Sequence, residues 1–108
     1  MRSAHYDADQ ALQSLTALDA EILQASDPSN AQLRAMMRRF AQEASQADAA
    51  IVFLDMPAVT VGERLFVLPR DTRLTRASDI YTEAVPLRAF ARMTVLAGRG
   101  GAVILSAG

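Results

Sequence analysis

The feature that most constrains this chain is the unbroken apolar run Ala49-Ala50-Ile51-Val52-Phe53-Leu54. A strand with one wet face alternates apolar and polar side chains. A run without alternation suits a strand covered on both faces, the mark of a parallel sheet in an α/β fold. Parallel neighbours need crossover connections, so helices are expected on either side of the run.

The flanking segments fit that requirement. Residues 7–18 are predicted helical, with Asp7 or Asp9 as cap and Leu12, Leu15 and Leu18 at helical spacing. The short apolar run Ala20 to Ala25 reads as a strand. Ser26-Asp27-Pro28-Ser29-Asn30 then supplies turn and cap residues together. The clearest helix spans residues 30–46. Leu33, Met36, Met37, Phe40 and Ala44 form one stripe, expected to be core, while Arg34, Arg38, Gln42 and Gln46 face away.

Beyond the central run, Val59-Thr60-Val61 and Leu65-Phe66-Val67-Leu68 flank Gly62-Glu63 as a small hairpin that Pro69 ends. Residues 70–84 read as a polar loop with local turns. Residues 86–97 read as an amphipathic helix with Pro86 at its start. Gly98-Arg99-Gly100-Gly101 breaks that helix, and Ala102-Val103-Ile104-Leu105 is expected to be a buried, central strand. The order helix, strand, helix, strand, hairpin, helix, strand predicts one α/β domain over residues 1–108. Its layered, mostly parallel sheet is flanked by helices.

Composition excludes several functions. The 108 residues contain no Cys and one His, and all 11 basic residues are Arg. Disulfides, thiolate zinc sites, cysteine nucleophiles and lysine chemistry are therefore closed to this chain. A net charge of −1 argues against bulk attraction to polyanions. No apolar stretch approaches the roughly 18 residues needed to cross a bilayer. The start, MRSAHYDADQ, is no secretory signal, so the cytoplasm is the default location.

The remaining candidates are few. His5 reads as a surface histidine near the terminus. Ser14 and Ser106 lack a motif-placed base and a nucleophile elbow. Asp55, Asp71, Asp79 and Glu83 fall on the loop side of the sheet, where a calcium or magnesium site is conceivable; solvated loop charge is the expectation. Arg64, Arg70, Arg73 and Arg76 form the most basic stretch. Asp71 and Asp79 interrupt it and no aromatic platform accompanies it, so no nucleic-acid partner is expected. The Gly98–Gly101 turn follows a helix and precedes a strand, the reverse of a phosphate-cradling loop. No cofactor is expected.

Four segments carry a family resemblance: LTALDAEILQASDPSNAQLRAMMRRFAQEA, ADAAIVFLDMPAVTVGERLFVLPRDTRL, EAVPLRAFARM and GGAVILSAG. In this order and spacing they resemble the large-subunit region of the caspase and metacaspase-like cysteine peptidases, especially bacterial ones. In that family a helix closing on Phe-Ala leads to a buried strand ending in His-Gly. A hairpin, a Val-Pro-Leu helix start and a strand ending in Asp-Ala-Cys follow.

The resemblance implies a caspase-like fold and also shows what has been lost. The catalytic histidine position is occupied by Pro57, flanked by Met56 and Ala58 where the family has glycine. The nucleophile position carries Gly108, and the acidic substrate-pocket position two residues earlier carries Ser106. A thiolate attacks the carbonyl and an imidazole shuttles the proton; losing one such group costs on the order of a million-fold. The family's first strand has no counterpart, and its half beyond the nucleophile is absent. A sheet lacking those strands leaves backbone edges unpaired, which implies self-association, a partner strand or a rearranged order.

These readings lead to an inactive caspase-like domain that acts by binding a protein partner or a second copy. Two alternatives differ in class: a peptidase fragment completed by a second chain, and an unrelated small α/β homodimeric domain.

Overall fold

The apolar run becomes the middle strand of a three-stranded parallel sheet in the computed structural model, which describes residues 19–107. Strand β1 (Ala20–Ser26), helix α1 (Asn30–Ala44) and strand β2 (Ala49–Asp55) form a β-α-β unit. The hairpin β3 (Ala58–Val61) and β4 (Arg64–Val67) follows. A 3₁₀ turn (Ala77–Asp79), a short helix α2 (Ile80–Glu83), strand β5 (Val85–Pro86), helix α3 (Leu87–Thr94) and strand β6 (Gly101–Ser106) complete the order. The strand order is β1-β2-β6, all parallel, with Ile22 beside Ile51 and Val52 beside Val103. The predicted helix over residues 7–18 lies outside the described residues, as do His5, Ser14 and Gly108.

Alternation along β2 explains its unbroken apolarity. Ala50, Val52 and Leu54 point into a core shared with Leu23 and Ala25 of β1 and with Leu33, Phe40 and Ala44 of α1. Phe90 of α3, Val67 and Val85 join the same cluster. Ile51 and Phe53 are buried on the opposite face. Among the described residues, α1 and α3 pack against each other and against the first of these faces. Phe40, Phe90, Leu33 and Leu54 are each under 2 % exposed; each such side chain stabilises the fold by about 1.5–3 kcal/mol relative to exposure.

Helix α1 starts where the sequence provides a reciprocal cap. The Ser29 hydroxyl accepts from the Gln32 N–H, and the Gln32 side chain accepts from the Ser29 N–H. The cap is tied across the chain, since Arg70 donates to the Gln32 side chain and the Asn30 N–H donates to Asp71 Oδ1. The hairpin turns at Gly62, whose φ of 64° suits a two-residue loop between twisted strands.

Four expectations need correction. Strand β6 is neither central nor buried: it is the third strand of the described sheet, with Ile104 42 % exposed. Its apolar run reports that α3 covers one face through Val103 and Leu105, not that it has two neighbours. Met36 leaves the core stripe and is 39 % exposed, because it lies to one side of the line through Leu33, Phe40 and Ala44. Residues 70–84 are more than loop: the 3₁₀ turn and α2 place Ile80 and Ala84 against Phe66 in a second, smaller core. The helix read over residues 86–97 closes at Thr94. The hairpin also gains a third strand, since β5 pairs antiparallel with β4 through Val67 and Val85. Among the described residues no helix is long and apolar enough to cross a membrane.

Candidate functional site

In an open parallel sheet the place to look for chemistry is beyond the carboxyl ends of the strands. Three strand ends meet there. Register places Ser26 beside Asp55 and Asp55 beside Ser106, so these three residues close the sheet in one row. The Ser26 hydroxyl donates to Asp55 Oδ2 at 3.3 Å. The Asp27 N–H donates to the Asp55 carbonyl, and the Met56 N–H donates to the Ser106 carbonyl. Pro57 follows at once and leads into β3; its carbonyl accepts from the Leu68 N–H.

The residue that follows Ser26 out of this row has an unusual backbone. Asp27 has φ of 46°, in the left-handed region that Asp tolerates better than most residues. Its carbonyl accepts from the Arg70 guanidinium, which fixes the turn from β1 into α1. Sequence reading identified this stretch as a turn. The Asp27-Pro28 pair is the signal that a sharp reversal occurs there.

The family-implied positions fall in this region without bringing reactive groups. Pro57 is exposed and has no titratable group and no N–H. Its neighbour Met56 is turned inward and fills the core at 3 % exposure, while Ala58 begins β3. Ser106 is exposed, and its hydroxyl has no hydrogen-bonded base among the described residues. Gly108 stands two residues beyond Ser106, outside the described residues.

The four loop carboxylates do not converge. Asp55 ends β2, while Asp71 caps α1 through the Asn30 N–H. Asp79 folds back on its own turn: its Oδ2 accepts from the Thr75 N–H and hydroxyl and from the Arg76 N–H. These bonds, the Arg76 N–H foremost, hold its carboxyl below the ordinary Asp range. Glu83 contributes its backbone carbonyl to the Asn30 side chain. Among the described residues no group of three potential ligands could hold a metal ion. The four arginines are equally dispersed: Arg64 belongs to the hairpin and Arg70 braces the α1 cap, while Arg73 and Arg76 stand exposed in the loop.

No family model, no curated protein and no solved structure matches this chain.

Proposed function

We propose that this chain is a catalytically inactive caspase-like domain that works by binding, and that a second copy is its partner. The observation that carries the reading is the pairing of Asp55 with Ser106. The family's two catalytic positions, Pro57 and Gly108, each stand two residues beyond that pair. The strands that would present histidine and cysteine side by side thus end together, and the sequence offers neither group there. The three-stranded antiparallel sheet inserted between β2 and α3 supports the same reading, since the family has a hairpin at this point.

The partner follows from β6. Among the described residues its outer edge has no neighbour, and Gly101–Ser106 carries no charge and no proline to discourage pairing. Two copies related by a two-fold axis would meet there as antiparallel strands, each satisfying the other's backbone groups. Assay of the pure protein against fluorogenic peptides carrying Arg, Lys or Asp tests the inactivity. No turnover above buffer is expected; turnover that co-elutes with the protein overturns it.

A further inference from the structure

The opposite edge of the sheet has a different character. A cavity of about 320 Å³ lies between β1 and α1. Four consecutive strand residues, Glu21 to Gln24, line it. Successive side chains of a strand point to opposite faces, so a wall made of four in a row is the strand's edge, backbone included. The facing wall is the flank of α1 that carries Met36, Arg39 and Phe40. Among the described residues β1 has β2 as its one neighbour, so its outer N–H and C=O groups face this cavity unpaired.

We infer that this groove takes an extended peptide segment as an added fourth strand, with an apolar side chain over Leu23, Met36 and Phe40 and a basic side chain beside Glu21. The backbone of the added strand satisfies the edge of β1, and the cavity selects the side chain, the division of labour usual in strand addition. The apolar preference comes from Leu23 and Phe40 at the floor, both nearly fully buried, and from the half-exposed Met36 above them. The basic preference comes from charge. Burial raises the Glu21 carboxyl above its ordinary range, Glu43 and Asp19 raise it further, and Arg39 is the cation that opposes them. Three carboxylates against one guanidinium leave that end of the groove negative, and a Lys or Arg side chain complements it.

This site lies on the far side of β2 from β6 and does not rest on the family reading. The test uses the whole chain and two labelled peptides, Lys-Thr-Leu-Thr-Val-Thr, whose basic and apolar side chains share one face as Glu21 and Leu23 do, and its counterpart with Glu replacing Lys. Fluorescence polarisation is expected to show the Lys peptide binding roughly tenfold more tightly, with the difference shrinking as salt rises. Amide shifts in the ¹⁵N spectrum are expected at residues 21–24 and 35–40. Met36→Arg, at an exposed position the fold tolerates, is expected to weaken the Lys peptide by tenfold or more while leaving the melting temperature within about 2 °C. Equal affinities, shifts centred on β6, or no saturable binding at millimolar peptide would each overturn the inference. None of these results bears on self-association, which is read from mass.

Discussion

Gly101 and Ala50 sit opposite each other where β6 begins, and a Cβ on Gly101 would fall inside the carbonyl group of Ala50. Ala50 is fully buried in the middle strand and its backbone has nowhere to retreat. Gly101→Ala is therefore expected to destabilise the protein by about 1–3 kcal/mol, the usual cost of overfilling a packed position. Gly98→Ala serves as the comparison, since its added Cβ meets the Ala47 carbonyl oxygen at an ordinary 3.9 Å. Urea denaturation of both variants checks this; equal midpoints would contradict the β2–β6 register.

Thr72 offers a change in the other direction. Its hydroxyl is buried without a hydrogen-bond partner, so its desolvation is uncompensated. Thr72→Val keeps the shape and removes the polar atom. Stabilisation of about 1 kcal/mol is expected, a rise of about 4–8 °C in Tm for a domain of this size. A lower Tm would show that the hydroxyl has a partner in solution.

Two carboxylates should respond to pH with opposite signs. Asp79 is held below its ordinary value by the Arg76 and Thr75 donors. Its contribution is fully present above the unfolded-state value and is lost as pH falls through the lower, folded value. Glu21 is raised by burial first and by Glu43 and Asp19 next. Its charge opposes folding above the raised value, and the penalty vanishes below the ordinary one. Glu21→Gln is thus expected to raise Tm at pH 7 and to lose that gain as the pH drops below the ordinary Glu range. Asp79→Asn is expected to lower Tm at pH 7 with no effect at the most acidic end. Thermal melts across pH on the two variants check both signs.

The parts of the fold that were legible in the sequence are those with a local physical cause. Burial on both faces wrote β2 as an unbroken apolar run, and the two-residue turn needed Gly62. The buried line Leu33, Phe40, Ala44 wrote α1, and Ser29 with Gln32 wrote its start. What was not legible depends on neighbours distant in the chain. Val103 and Leu105 look as apolar as Val52 and Leu54, yet among the described residues β2 has two neighbours and β6 has one. At about 100° per residue, Met36 sits about 60° from Leu33 on the helix wheel. Only the position of β1 makes that a groove wall instead of core. The two-residue β5 is too short to show any period. Asp71 could not be placed from spacing, because the Asn30 N–H that holds it is distant in the chain; Asp79, by contrast, is held by its near neighbours Thr75 and Arg76.

The mass of the protein in solution, by light scattering after size exclusion, tests the proposed self-pairing most directly. The wild-type chain is expected at twice its 11.7 kDa, and Ile104→Lys, which puts a charge on the exposed side of β6, at 11.7 kDa. A wild-type monomer at every concentration, or a dimer that Ile104→Lys leaves intact, would contradict pairing through β6.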